Sequence, residues 1–204
     1  VISWIVATNN PEVLEANLLA SLPANDDDEV ILVQDPESIT LAYAYGQEQA
    51  TRPVRCYVHS DVEILDPARL RFELTQAATP ERGMVGLVGS VEVRMPWWDG
   101  HCLGSVIDAR MGTLDFGAGG NCSIVDGLLL ATVQTVEWDT DWPGFHGYDH
   151  DSCMQMLRRG LVNWCLTGGH ELVRHNTTTT SRMSELGGWD EAMARYREKW
   201  GSDG

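Results

Sequence analysis

The 204-residue chain is short of positive charge: 14 lysines and arginines stand against 30 aspartates and glutamates, a formal net charge of −16. A surface of that sign repels phosphate backbones and anionic headgroups, so general coating of nucleic acid and docking on a membrane are disfavoured unless a local basic groove exists. The excess acid does not itself name a site. A divalent-cation centre needs only about two or three carboxylates, and solubility or saline surroundings would account for the rest.

Cysteine is also sparse. Cys56, Cys102, Cys122, Cys153 and Cys165 are dispersed and odd in number, which argues against a disulfide framework and a structural zinc site and for a reducing cytoplasm. No run of about 18 apolar residues is present, so no transmembrane segment is expected. No basic-then-apolar leader precedes VISWIVAT, and the chain begins on Val1, so a short native N-terminus is expected to precede it. Walker, GxSxG and HExxH patterns are missing. Glycines 83, 86 and 89 fall inside a strand-like run and make no GxGxxG fingerprint.

What is there alternates. With 43% hydrophobic residues, the chain is long enough for one core, and a single domain over 1–204 is the expectation. ISWIVAT (2–8) reads as a buried strand. Asn10 and Pro11 then open a helix with Leu14, Leu18, Leu19 and Leu22 on one face, stopped by Pro23 and the acidic turn of residues 25–28. EVILVQ (29–34) is a second strand. Residues 38–50 form a helix with Leu41 and Ala42 inward and Gly46 as a weak point, and VRCYV (54–58) is a third strand. This order predicts a mostly parallel central sheet with helices on both faces and a small antiparallel portion.

Further on, 66–78 reads as a helix, MVGLVGSV (84–91) as one glycine-rich strand, and 93–123 as a long, partly ordered excursion that shapes a pocket. Residues 124–135 read as strand, 151–160 as a helix closed by Gly160, and LVNWCL as the final buried strand. An amphipathic segment, EAMARYREKW, ends the chain.

Several groups carry chemistry, each with a plainer alternative. His59 and Asp61 in VHSDVEI stand at the carboxyl end of the third strand, where ligands of parallel sheets bind. They offer nitrogen and oxygen to a cation, or Asp61 simply caps a turn. Asp149 and Asp151 in GYDHDSC are a base and its neighbour, or two helix-capping carboxylates. His175 in LVRHN converges on the same metal, or is structural. Asp126 binds a sugar hydroxyl, or makes an Asx turn with Gly127. Trp97 and Trp98 stack on sugars, or fill the core.

In order and spacing, ATNNPEVLEANLLASL, PESITLAYAYGQEQA, VHSDVEI, MVGLVGS, VDGLLLA, WDTDWPGFHGYDHDSC and a late histidine resemble the family-2-like glycosyltransferases of the GT-A fold, and more narrowly their StrF-like branch. The likeness covers most of the chain and thins over 93–123. It implies a GT-A-like α/β domain with a nucleotide-sugar-binding half (1–92) and an acceptor-binding and catalytic half (93–204). It implies transfer from a nucleoside-diphosphate sugar to an unidentified hydroxyl acceptor (saccharide, lipid-linked sugar, metabolite or modified base), with inversion and with Mn2+ or Mg2+.

By the same likeness Asp61, helped by His59 and His175, holds the metal. Asp149 is the general base, supported by Asp151. Ala7, Thr8, Asn9 and Asn10 line the nucleotide, followed by Asp35 and Glu37, while Ser60, Asp126 and Trp98 join them as substrate contacts on the reading of the residues alone. Tyr45 stands where the family usually has asparagine, so donor preference is expected to differ. At this length the domain is short for the fold, which points to a compact acceptor site or to completion by a second copy in a homo-oligomer. A nucleotidyltransferase shares the sheet and the metal but would carry a glycine-rich basic loop where this chain has ATNNPEVL. A nucleotide-sugar-binding protein without turnover is the remaining alternative.

Overall fold

A computed structural model describes residues 1–22, 25, 27–94, 96–177 and 188–201, with the backbone alone for Trp97. The stop expected at Pro23 and Asp26 of the acidic turn lie outside them. β1 (Ile2–Thr8) leads into α1 (Pro11–Leu14), which continues as a π-helical turn over Glu15–Leu19. There follow β2 (Glu29–Gln34), α2 (Ile39–Gln49), β3 (Val54–His59), β4 (Val62–Ile64) and α3 (Pro67–Ala77). The middle of the chain is almost all strand: β5 (Arg82–Gly86), β6 (Val88–Ser90), a 3-10 turn at Trp97–Asp99, β7 (Cys102–Asp108), β8 (Gly112–Asp115), β9 (Gly120–Cys122), β10 (Ile124–Val125) and β11 (Leu129–Thr132). It closes with α4 (Tyr148–Arg158), β12 (Val162–Cys165), α5 (Gly169–Leu172), β13 (Val173–His175) and α6 (Trp189–Trp200).

Two sheets share one core. The first runs β2-β1-β3-β11-β5-β12-β9. Its β1 pairs parallel with β2 and β3, and β12 pairs parallel with β5, whereas β11 and β9 enter antiparallel. The sheet is therefore mixed rather than mostly parallel. Helices flank it, and β1, one strand in from the β2 edge, is buried without a break from Ile2 to Val6, so both its faces are covered.

The second sheet runs β10-β6-β7-β13-β4, with β8 hairpinned onto β7. It is larger than the small antiparallel portion expected. Part of it, β7 and β8, comes from 93–123, and β9 joins the first sheet, so that segment is partly ordered as expected, but none of its described residues lines the cavity at the ends of β1 and β3. MVGLVGSV is likewise not one strand. The chain changes sheets at Leu87: the Gly86 carbonyl accepts from Leu166 N of the first sheet, and the Leu87 carbonyl accepts from Ser105 N of the second. LVNWCL is not the last strand either, because β13 follows it.

Local chemistry sets the helix starts. Asn10 Oδ1 accepts from Val13 N, Ser38 Oγ from Leu41 N, and Asp66 Oδ1 from Arg69 N, each an N-cap that satisfies an otherwise unpaired donor. α4 starts three residues earlier than expected. Gly147, at φ 70°, turns the chain into it, so neither Asp151 nor Ser152 is the cap. In α2, Ala42 is inward as expected but Leu41 is 39% exposed. The helix instead packs through Ile39, Ala42, Tyr43 and Gly46. All five cysteines are free, and the nearest pair, Cys122 and Cys165, stands 3.6 Å apart at sulfur.

Gly46 is a contact rather than a weak point, since a Cβ there would overlap Ile5 Cγ2 of β1. Ala is the better helix former by about 1 kcal/mol, but overpacking a core costs about 1–3 kcal/mol. Gly46→Ala should therefore lower the denaturant midpoint. A raised midpoint would show that the α2–β1 seam has room to spare.

Candidate active site

The carboxyl ends of β1 and β3 open on a cavity of about 600 Å³. One wall is the turn after β1, residues Ala7, Thr8, Asn9 and Asn10, backed by Val13, Pro36 and Ile39. This turn is tight because Thr8 Oγ1 accepts from Asn10 N, and the Thr8 carbonyl accepts from Asp35 N. The floor is the β3–β4 turn, His59, Ser60 and Asp61. The facing wall is Gly144, Phe145 and His146, with Gly188 from the start of α6.

His59 and Asp61 of that floor converge with His175, which is not itself among the lining residues. One donor atom from each lies within 4.8 Å of the others, and among the described residues no other group of three could hold a metal ion. Strand pairing brings them together. β13 runs antiparallel to β4 with His175 opposite Val62, and Asn176 N donates to the Asp61 carbonyl at 2.8 Å. His175 Nε2 then stands 3.4 Å from Asp61 Oδ1, and the two imidazole rings are 5.8 Å apart at their centroids. Two imidazoles and a carboxylate suit Mn2+, which tolerates nitrogen ligands, better than Mg2+, which keeps to oxygen.

The electrostatics fit ligands held ready. Burial, helped by the charge of His175, lowers the His59 pKa and keeps that ring neutral. Its Nε2 lies 2.7 Å from the Tyr148 hydroxyl, which itself donates to the Gly127 carbonyl at 2.9 Å. A phenol has one proton to give, so the tyrosine accepts from His59 Nε2–H and Nδ1 carries the lone pair. Burial opposes ionisation of Asp61, but His175 and His59 overcome it and hold its carboxyl below the usual range. Burial also opposes the charged form of His175, yet Asp61, Asp126 and Asp108 together raise its pKa above the ordinary 6.5.

The acidic pair at α4 divides. Asp149 is buried in the first turn, its Oδ2 accepting from Gly127 N at 3.1 Å and its Oδ1 from His150 N at 3.0 Å. Burial opposes its ionisation, but His150 and these backbone donors hold its pKa below 3.8. Asp126 is pushed the other way, by burial and then by Asp149. Its Oδ1 accepts from Leu128 N, the local turn that the sequence allowed. Asp151 is committed to packing: Trp200 Nε1, Lys199 Nζ and Gln155 Nε2 all donate to it at 2.8–2.9 Å, tying α6 to α4.

Of the other sequence candidates, Asp35 sits beside the cavity residue Pro36 at φ 48° but is not part of the lining. Neither Asp126, Asp149, Asp151 nor Trp98 lines the cavity. Trp98 is 44% exposed with its ring 6.4 Å from Trp189. Tyr45 is 53% exposed and also off the lining. Phe145 and His146 were missed, although they stand in the quoted FHGYDHD stretch. The His146 ring packs edge-on to Trp189 at 5.6 Å.

A family model described as "Glycosyltransferase like family" matches residues 3–184. The chain belongs to that family. Among solved structures it is similar to the mannosyltransferase PcManGT from Pyrobaculum calidifontis, in complex with GDP-Man and Mn2+, at 13% identity and a TM-score of 0.61. That match covers 100% of this chain and 64% of the mannosyltransferase. The chain is also similar to A197 from STIV at 8% identity and a TM-score of 0.48, covering 89% of this chain and 97% of that one. No curated protein matches it. The fold is GT-A-like, and no helix among the described residues is long and apolar enough to cross a membrane.

The raised pKa of His175 gives a sign-determined prediction. A raised folded-state pKa contributes stability that is complete below about 6.5 and lost as pH climbs through the folded value. The metal-free protein should therefore lose melting temperature on the alkaline side of 6.5, and His175→Gln should flatten that slope. An unchanged slope in the variant would remove His175 as its source.

Proposed function

We propose that the protein transfers a glycosyl group from a nucleoside-diphosphate sugar to an acceptor hydroxyl, with a divalent cation held by Asp61, His59 and His175. The observation that carries this is the convergence of those three donors beside the ATNN turn, at the carboxyl end of the sheet. Mn2+ is favoured over Mg2+ by the two nitrogen donors. The cation supplies charge neutralisation to the departing nucleoside diphosphate.

The chain's own residues do the rest. Ala7, Thr8, Asn9, Asn10 and Ser60 line the donor side, with Asp35 behind them. Asp149, kept ionised, takes the proton of the acceptor hydroxyl as its oxygen bonds to the anomeric carbon and the bond to the diphosphate breaks. Asp151 supports it by fixing α6 against α4. Asp126, harder to ionise, offers a hydrogen bond to a sugar hydroxyl, and exposed Trp98 is a contact for a larger acceptor. One base and one displacement invert the anomeric centre. The leaving group departs without a protonating acid, so paired-carboxylate hydrolysis is not required. The cavity draws residues from both halves of the chain, donor-binding before 93 and acceptor-side after it. The StrF-like branch is the narrower placement we favour, and five free cysteines fit a reducing cytoplasm.

Purified protein given a panel of nucleotide sugars should release nucleoside diphosphate only with a divalent cation, faster with Mn2+ than with Mg2+. Absence of both release and cation-dependent nucleotide binding would sink the reading. Nucleotide binding without release would favour a binding protein.

Asp149→Asn should cut turnover about 10²–10⁴-fold while nucleotide binding stays near wild type. Loss of nucleotide binding in that variant would mean that Asp149 holds the site together rather than accepting a proton.

A further inference from the structure

We propose that Asp108 is the positioning residue of the cation-binding histidine: it holds the proton on His175 Nδ1 and so presents the Nε2 lone pair to the cation. This rests on reading His59, Asp61 and His175 as ligands. A neutral imidazole that gives Nε2 to a metal must keep its proton on Nδ1, and that proton needs an acceptor in the protein. Asp108 Oδ2 stands 3.4 Å from His175 Nδ1, while Nε2 on the far side of the ring faces Asp61 Oδ1, also at 3.4 Å. The ring is thus held between two carboxylates, one for each nitrogen.

Asp108 is built to stay put. It is the last residue of β7 and is 4% exposed. Its Oδ1 accepts from Arg110 N at 2.9 Å and Met111 N at 3.0 Å, with Arg110 Nε 4.0 Å away. That leaves Oδ2 aimed at the histidine. The backbones are locked as well: β13 runs parallel to β7 with His175 opposite Asp108, and Ala109 N donates to the His175 carbonyl at 2.9 Å. A cap for the β7–β8 turn would need only Oδ1. The placement of Oδ2 is what a turn role leaves unexplained.

Asp108→Asn separates the two roles, because an amide oxygen can still accept from Arg110 N and Met111 N while the amide NH2 donates toward the histidine. That reverses the tautomer and puts a proton on Nε2. Asp108→Ser keeps a turn acceptor, lacks the carboxylate, and serves if the first variant folds poorly. Each variant is first checked by thermal melting. The metal-free ring tautomer is then read from two-bond 15N–1H correlations, at a pH alkaline enough to keep the ring neutral. Mn2+ affinity is read from the EPR signal of free ion.

In the metal-free protein Asp61 competes for the ring proton at the same 3.4 Å, so wild type should populate the Nδ1–H tautomer alongside the Nε2–H form. The variants should lose it and bind Mn2+ about 10–100-fold more weakly, the range found when such partners are removed. Folded variants with the wild-type tautomer and wild-type affinity would overturn the role of Asp108 alone. A wild type that binds no Mn2+ would overturn the cation reading, and this proposal with it.

Discussion

The antiparallel pairing of β13 with β4 is the constraint on which the site depends. Three residues on each strand are matched, Val173 with Ile64, Arg174 with Glu63 and His175 with Val62. The bond from Asn176 N to the Asp61 carbonyl extends the ladder one step. Side chains alternate along a strand, so a slip of one residue would turn His175 away from Asp61. The register is held from outside the ladder. Arg174 pairs with Glu63 at 3.1 Å, Asn176 donates to both Glu63 and Asn17, and β7 supports β13 from its other edge. A residue near the end of the described sheet thereby joins two from the third strand and the turn after it.

The charges around that junction are mutually arranged. Asp61, Asp108, Asp126 and Asp149 surround two histidines. One histidine is held neutral by burial and the other is made easier to charge by its acidic neighbours. A protonated His175 balances these carboxylates without a cation, and a bound cation would take over that task. Asp149 and Asp126 are driven apart in acidity by their own surroundings: burial and Asp149 make Asp126 harder to ionise, while His150 and backbone donors outweigh burial at Asp149 and keep it ionised. The bulk charge of −16 plays no visible part in this. Asp139, Asp28 and Glu29 are taken up by Arg195, Arg71 and Thr51 respectively.

Much of this was legible because it is local. The ATNN turn, the N-cap at Asn10 and the strand end at VHSDVEI each follow from a few adjacent residues. What was not legible depends on distant partners. The β7–β8 hairpin and β9 lie in a glycine-rich stretch whose strand partners, β13 for β7 and β12 for β9, are distant in sequence, so periodicity shows little. The break at Leu87 reflects a change of sheet, which the apolar pattern of MVGLVGSV does not mark. The earlier start of α4 comes from a left-handed Gly147 that offers no side-chain cap. The ties of Asp151 to Lys199 and Trp200 were not legible, because α6 lies far along the chain from α4. Asp108 carried no motif at all, because its meaning comes from β13 lying beside it.

The central claim is that His59, Asp61 and His175 form one cation site at the floor of the nucleotide-sugar cavity. Anomalous diffraction at the manganese absorption edge, from crystals soaked in Mn2+ and a nucleoside diphosphate, tests it most directly. The account predicts a single strong peak within bonding distance of Asp61 and His175, and its loss in crystals of Asp61→Asn. A peak elsewhere in the molecule, or one that persists in the variant, would contradict it.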